Sequence, residues 1–210
     1  QWQLENAPAV EQSSLSQATT KQDANADFVP ESSDSEAPLA QTTQSSSKLV
    51  TVTTNALIVK INTQGGDIVE VKLRKYDTEQ GNGIPFTILQ NGNQKYIAQS
   101  GLTGANGIDR VIKGRPIYSS QQSNYEVSAD DLTVDLTFQD EQGLTVTKRF
   151  KFGADSYSVN VDYIINNNTA NSVSVQMYGQ LKQSTLSNTS TGMLPTYRGA
   201  AFSTNEDRYE

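Results

Sequence analysis

Short segments in which apolar and polar residues alternate follow one another from position 48 onward, and no other feature limits the possible fold as strongly. Residues 132–138 show the pattern best, since Val134 and Leu136 share one parity while polar residues hold the other. A period of two places these residues on opposite faces of a β-strand. Residues 144–152 repeat the pattern after a turn. Regular short strands separated by turns predict an all-β fold, a large antiparallel sandwich.

The same alternation predicts where the strands lie. They cover residues 50–52, 57–61, 69–73, 86–90, 96–99, 132–138, 144–152, 157–165 and 172–181. Their apolar parity predicts a core that includes Val134, Leu136, Val146, Phe150, Val159, Val161, Tyr157 and Tyr163. Residues 101–120 interrupt the rhythm with four glycines and one proline, a composition that predicts a long ordered loop. No segment shows the 3.6-residue period of an amphipathic helix.

The first 47 residues differ in kind from the rest of the chain. They are rich in Gln, Ser and Thr, and they carry seven acidic residues against one lysine, whereas residues 48–210 are almost neutral. An acidic segment with few apolar residues buries too little apolar surface to offset the entropy lost on ordering. We therefore expect a disordered acidic linker at 1–47 and a folded domain at 48–210. A near-neutral domain behind an acidic linker also argues against nucleic-acid binding.

Trp2 has two interpretations. It is an ordinary linker residue, or it lies at a membrane–water interface, where tryptophan is favoured because its ring is apolar and its N–H is polar. The chain contains no apolar run of about 20 residues, the length that a membrane-spanning helix needs, so we expect residues 1–210 not to span a membrane.

The residue inventory excludes several kinds of catalysis. The chain contains no histidine and no cysteine, so Ser-His-Asp and Cys-His nucleophiles and His- or Cys-based zinc sites are ruled out. Paired carboxylates remain, and the adjacent acid pairs are Asp130–Asp131 and Asp140–Glu141. Both pairs flank predicted turns, where acids usually cap the turn and contact solvent. We therefore predict a protein that is not an enzyme and holds no cofactor and no metal.

Lys148, Arg149 and Lys151 form a small basic cluster. Lys148 shares the parity of Phe150, while Arg149 and Lys151 have the opposite parity. We interpret the cluster as a solvated strand face, with contact to anionic lipid as the alternative.

Five stretches of the folded part resemble one known family. They read "INTQGGDIVEVKL", "YIAQSGLTG", "GRPIY", "GQLKQS" and "YRGAAFST", and they occur in the family's order between residues 48 and 204. The chain resembles the first, large periplasmic domain of the YidC-type membrane protein insertases of Gram-negative bacteria.

The resemblance implies a fold and a location. The fold is a twisted antiparallel β-supersandwich on a scaffold similar to that of galactose mutarotases, whose chemistry needs a histidine that this chain lacks. Residues 1–47 would be the linker that follows a transmembrane helix, with Trp2 at the membrane interface. The domain at 48–210 would face the periplasm at the inner membrane and continue beyond Glu210.

The resemblance also implies a function. It is that of a non-catalytic domain aiding membrane protein insertion and folding, with the SecD–SecF complex, the Sec translocon and nascent membrane proteins as partners. The SecF-type contact would fall on Leu194, Tyr197, Arg198, Gly199, Ala200, Ala201, Phe202, Ser203 and Thr204. The alternative for this segment is an ordinary strand with Phe202 in the core. Alternatives for the whole chain are a carbohydrate-binding sandwich, suggested by its nine tyrosines, and a plain adhesin-type module.

We expect residues 3–45 to exchange their amide hydrogens without protection, because the composition of this segment provides no core to order it. The strands from Leu49 onward should be protected in the same hydrogen-exchange experiment. Strong protection inside 3–45 would show that the linker is docked on the domain.

Overall fold

The computed structural model describes residues 48–112, 114–127, 129–184, 202–203 and 208–209. Residues 1–47, with the predicted linker and Trp2, lie outside the described residues. In the described part the chain forms strands and one helical turn, so the predicted all-β class is confirmed.

Two sheets contain most of the strands. The larger consists of β1 (Leu49–Thr53), β2 (Leu57–Asn62), β3 (Asp67–Asp77), β4 (Pro85–Asn91), β5 (Lys95–Thr103), β7 (Asn124–Glu126) and β11 (Gln176–Gln183). The smaller consists of β6 (Ser119–Ser120), β8 (Leu132–Gln139), β9 (Leu144–Phe152) and β10 (Val159–Asn167). A helical turn α1 (Ile108–Val111) follows β5, and a separate pair is formed by β12 (Phe202–Ser203) and β13 (Arg208–Tyr209).

The sheets are built mainly from antiparallel neighbours. The larger sheet has the order β11-β5-β4-β3-β2-β1-β7, and the smaller has the order β10-β9-β8-β6. The pairing of β1 with β7 is parallel, an exception to the predicted antiparallel arrangement. The chain crosses from the larger sheet to β6, returns for β7, and crosses again to β8, so the two sheets are tied together by connections.

The core lies between the two sheets, where the apolar faces of both sheets pack against each other. Val52 and Val59 of the larger sheet and Val134 and Phe150 of the smaller sheet are fully buried in one cluster. The predicted core residues Val134, Leu136, Val146 and Phe150 are confirmed as buried. Val159 and Val161 pack against this cluster but are only partly buried. They lie on β10, an edge strand of its sheet, where cover from one side is missing.

Two local expectations need correction. Tyr157 was expected in the core, but β10 begins at Val159, and the Tyr157 side chain is 46% exposed and contacts Tyr76 at a ring-centroid distance of 6.0 Å. Tyr163, in contrast, packs against the core as predicted.

The predicted loop at 101–120 contains the end of β5, α1 and β6. A helix of four residues is too short to produce a periodic apolar pattern, so the sequence pattern could not predict it.

The turn between β8 and β9 confirms the role predicted for Asp140. Its carboxylate accepts hydrogen bonds from the backbone N–H of Gln142 at 2.9 Å and of Leu144 at 2.8 Å. Gly143 has a φ of 103°, a left-handed conformation that favours glycine. Asp131 and Glu141 are exposed, as expected for acids that flank turns.

Phe150→Ala should lower the free energy of unfolding by roughly 3–5 kcal/mol, because it empties a fully packed site. Phe86→Ala, in a half-exposed position, is the matched control and should cost much less in the same urea titration. Equal losses for the two variants would show that Phe150 does not face the core and that the register of β9 is wrong.

Candidate functional site

Within the segment proposed for a SecF-type contact, the structure describes only Phe202 and Ser203. Leu194, Tyr197, Arg198, Gly199, Ala200, Ala201 and Thr204 lie outside the described residues. Phe202 and Ser203 form β12, whose backbone pairs with Tyr209 and Arg208 of β13. This pairing is compatible with a contact segment and with an ordinary strand.

The described part brings together a different group of residues, a buried ionic cluster formed by Asp67, Asp109, Arg115 and Lys148. Asp67 begins β3, Asp109 lies in α1, Arg115 lies in the connection to β6, and Lys148 lies in the middle of β9. All four are almost inaccessible to solvent. Burying charges is costly unless they are paired and hydrogen-bonded, so the geometry of this cluster decides whether the fold tolerates it.

Arg115 is the centre of the ionic cluster. Its Nε donates to Asp109 Oδ1 at 2.7 Å, and Nη1 and Nη2 donate to the two carboxylate oxygens of Asp67, both at 3.0 Å. Nη2 also donates to the carbonyl oxygens of Gly65 and Ser100. The guanidinium therefore holds two carboxylates and two backbone segments with directed bonds, the planar fork geometry in which arginine excels.

The backbone at Arg115 is unusual. Its φ is 70°, in the left-handed region, and it precedes Pro116, a position that normally favours extended conformations. A non-glycine residue held there costs about 1–3 kcal/mol. The ion pairs of the side chain offset that cost, because they form only when the guanidinium points into the cluster.

Glycines surround the ionic cluster because a side chain would occupy its space. A Cβ on Gly65 would lie 2.6 Å from Arg115 Cζ, and a Cβ on Gly66 would lie 2.8 Å from Lys148 Cδ. A Cβ on Gly101 would overlap the Asp109 carboxylate. The doublet Gly65–Gly66 thus serves close packing as well as the turn between β2 and β3.

Burial acts on the pKa values in the ionic cluster in opposite directions for acid and base. It raises the pKa of Asp109 above its ordinary value, against the pull of the Arg115 guanidinium. It lowers the pKa of Lys148 to about 7, although Asp67 and Asp109 act to raise it. In both cases removal from water disfavours the charged form.

The prediction that the basic cluster lies on a solvated strand face is therefore wrong for Lys148. It is 1% exposed, because it shares the parity of Phe150, and β9 lies between β8 and β10. Arg149 and Lys151 do lie on the opposite face, paired with Asp135 at 2.7 Å and Asp162 at 2.8 Å. Hydrogen bonding to Arg149 lowers the pKa of Asp135.

β11, β5 and β4 lie side by side at one end of the larger sheet. The face of β5 that carries the core includes Leu102 and Ser100, whose hydroxyl is 3.1 Å from that of Tyr163 in the smaller sheet. By parity Tyr96 lies on the same face. The register then adds Gln90 of β4 and Gln183 of β11, which pair with Tyr96.

Large apolar side chains on β4 and β11 are in contact with solvent. Phe86 pairs with Leu73, which packs against the core, and Phe86, Ile88 and Leu181 are 46%, 42% and 65% exposed. We call this region the uncovered face, formed by Phe86, Ile88, Gln90, Tyr96, Leu181 and Gln183. Exposed apolar side chains grouped in one region make it a candidate interaction site.

A small pocket lies at the polar end of the uncovered face, with a volume of about 130 Å³. Its walls are formed by Thr87, Ile88, Gln90, Gln94, Lys95, Tyr96, Gln183 and Ser184. Amide, hydroxyl and amine groups give it both donors and acceptors, which suits a peptide backbone or the hydroxyls of a sugar. These lining residues include no carboxylate, so the pocket offers no acid–base pair for hydrolysis or epimerisation.

Two further searches concern the described residues alone. In that part of the chain no group of three or more acidic, His or Cys side chains is arranged to hold a metal ion. The described helical structure is limited to α1, which is far too short to cross a bilayer.

Residues 49–210 match the family described as the YidC periplasmic domain. The chain belongs to this family. It is 44% identical over 216 residues to the membrane protein insertase YidC of Shewanella woodyi and 41% identical over 219 residues to that of Pseudoalteromonas atlantica. Each alignment covers the whole chain and 39% of the relative, so the chain spans about two fifths of the length of the curated relatives it matches.

Membership of the YidC periplasmic domain family confirms the predicted resemblance and the predicted periplasmic location. It also gives the family stretches a structural meaning. "INTQGGDIVEVKL" contains Gly65 and Asp67, "YIAQSGLTG" contains Ser100, and "GRPIY" contains Arg115. Three separate stretches of sequence therefore meet in one buried ionic cluster.

Sequence reasoning did not identify the ionic cluster or the uncovered face. The signals for the cluster were present as the glycine doublet before Asp67 and the shared parity of Lys148 and Phe150. The uncovered face carried no signal, because alternation cannot tell which part of a sheet a second sheet covers.

Arg115→Met should lower the free energy of unfolding by roughly 3–5 kcal/mol, because it leaves the buried carboxylates of Asp67 and Asp109 without their partner. Arg149→Met removes a partly exposed ion pair and should cost at most about 1 kcal/mol. Urea titration at one pH measures both variants. A loss for Arg115→Met no larger than that for Arg149→Met would show that the ionic cluster does not hold the sheets.

Proposed function

We propose that this periplasmic domain is a non-catalytic interaction module that aids membrane protein insertion and folding. Its partners would be the SecD–SecF complex, the Sec translocon and nascent membrane proteins. The observation that carries the proposal is the family match over residues 49–210, together with relatives named membrane protein insertases. The proposal concerns this domain, which corresponds to part of those proteins.

The chemistry of the chain supports a non-catalytic role. The whole sequence contains no histidine and no cysteine. The most strongly perturbed base, Lys148, is sealed between the sheets, where no substrate reaches it. The adjacent acid pairs lie at turns, with Asp140 already engaged by two backbone N–H groups. A perturbed group serves catalysis only if it opens into a cleft.

The uncovered face supports a role in binding polypeptide. It places Phe86, Ile88 and Leu181 beside a pocket of amides and hydroxyls. Extended polypeptide presents the same combination of apolar side chains and backbone hydrogen-bonding groups. Exposed apolar side chains grouped in this way are a feature of partner-binding surfaces.

We place the contact with the SecD–SecF complex at residues 194–204. Tyr197 and Arg198 are the residues of this segment that we expect to contribute most, because Tyr and Arg are enriched among the energetic centres of interfaces. Gly199 and Ala200 would allow close approach of a partner backbone. The competing explanation is that the segment is an ordinary strand of the fold.

Replacing both Tyr197 and Arg198 by alanine should weaken co-purification of the full-length insertase with SecF and leave the melting temperature nearly unchanged. The expected result follows because two binding side chains are removed without loss of core volume. Tyr76→Ala combined with Lys75→Ala removes an exposed tyrosine and a neighbouring cation from outside residues 194–204. This control should leave SecF binding intact.

A different outcome would contradict the proposed contact. A large fall in melting temperature with unchanged SecF binding would show that residues 194–204 are a structural strand. Equal loss of SecF binding in the Tyr76 and Lys75 control would show that the effect is not specific to the segment.

Carbohydrate binding is the second candidate function, and the polar pocket is the observation that favours it. Tyr96 and the surrounding amides and hydroxyls could contact sugar hydroxyls. Calorimetric titration with simple aldoses distinguishes the two functions, because saturable binding that Tyr96→Ala abolishes would favour the carbohydrate module.

A further inference from the structure

Lys148 connects the two sheets in the middle of the molecule. Its neighbours in the smaller sheet are Leu136 of β8 and Tyr163 of β10. Its Nζ donates to the carbonyl oxygens of Gly65 at 3.1 Å and Ser100 at 2.9 Å, both in the larger sheet or its turns. Two hydrogen bonds from one buried amine therefore link β9 to the β2–β3 turn and to β5.

The surroundings of this amine accommodate both of its protonation states. Within residues 48–112, 114–127 and 129–184, no carboxylate lies at ion-pair distance from the Lys148 Nζ; Asp67 and Asp109 are paired with Arg115 and act on the amine from farther away. Two carbonyl oxygens satisfy the two N–H groups of a neutral amine. An ammonium is also tolerated, because Nζ lies 5.7 Å from the ring centroid of Phe150 and 5.5 Å from that of Tyr163.

We propose that the junction between the two sheets is pH-sensitive and that its titrating group is the Lys148 amine, which is buried between the sheets and bonded to one carbonyl oxygen of the β2–β3 turn and one of β5. The proposal rests on the buried amine, its two carbonyl acceptors and the charges held around it, and not on the family's function. Release of the proton leaves both hydrogen bonds in place and removes a buried charge.

The sign of the effect follows from proton binding. In the unfolded chain the amine keeps its proton up to a pKa of 10.5, whereas burial lowers the pKa in the folded chain to about 7. Between these values the unfolded chain binds more protons, so the free energy of unfolding rises with pH. Below the folded pKa both states carry the proton, and this contribution stays at its minimum.

Several other charged and titratable groups face this junction. Burial raises the pKa of Asp109 of α1 above its ordinary value, against the pull of the Arg115 guanidinium. Tyr118 and Tyr163 have pKa values raised above that of an ordinary tyrosine by burial. The remaining groups that face the amine or its partners are Asp67 of β3, Arg115, and Tyr178 of β11, which lies beside Arg115. The chain has no histidine or cysteine, the side chains that ordinarily titrate near neutrality.

The test measures urea unfolding of the 210-residue chain at several pH values between 6 and 9. For the unsubstituted chain the midpoint should rise with pH, while for Lys148→Met it should be nearly constant. Lys151→Met is the matched control, because it removes a half-exposed lysine of the same strand. It should keep the pH dependence of the unsubstituted chain. Identical pH dependence in the unsubstituted chain and in Lys148→Met would overturn the proposal.

A second measurement does not depend on whether Lys148→Met folds. In the unsubstituted chain labelled with ¹³C-lysine, one Cε resonance should titrate near pH 7 and show contacts to the Phe150 or Tyr163 ring. If every lysine of the folded chain titrates near 10, the amine stays protonated across the neutral range and the device does not exist.

Discussion

The Arg115 guanidinium is the interaction on which the rest of the structure depends. It binds the carboxylates of Asp67 and Asp109 and two backbone carbonyls, and so joins the start of β3, the middle of β5 and α1. Lys148 shares those carbonyls from the opposite sheet. Such a network is costly to bury and specific in geometry. It therefore fixes the relative position of the segments that it joins, in addition to the register that the apolar core sets.

The larger sheet has seven strands and the smaller has four. Apolar side chains that face each other between the sheets form the core, as for Val52 and Phe150. On β4 and β11, in contrast, the apolar side chains of Ile88 and Leu181 are exposed. Alternation along a strand therefore does not by itself distinguish core from exposed surface. The polar pocket at the edge of this surface adds hydrogen-bonding groups without adding acid–base chemistry.

The chain has a sandwich fold but no histidine and no cysteine, so the fold is present without the catalytic chemistry of those side chains. Sandwich folds host many functions, and the function resides in the site rather than in the fold. Here Asp109 and Lys148, whose pKa values are shifted by burial, are enclosed in the ionic cluster, and the pocket on the larger sheet is lined by amide, hydroxyl, amine and apolar groups. This arrangement agrees with the interaction module proposed above. The pH sensitivity proposed for the sheet junction concerns Lys148.

The sequence by itself determined the strands and their faces, because alternation is local: residues 132–139 and 144–152 were readable from neighbours alone, and so was the Asp140 turn. The alternation also placed Lys148 on the same strand face as the apolar residue Phe150, although its charge favoured a solvent-exposed position. Only the tertiary structure decided its partners, since Gly65 lies 83 positions away. The same holds for the exposure of Leu181, which the pattern of its strand does not reveal. Local periodicity states which side of a strand is apolar, but only packing decides what lies opposite it.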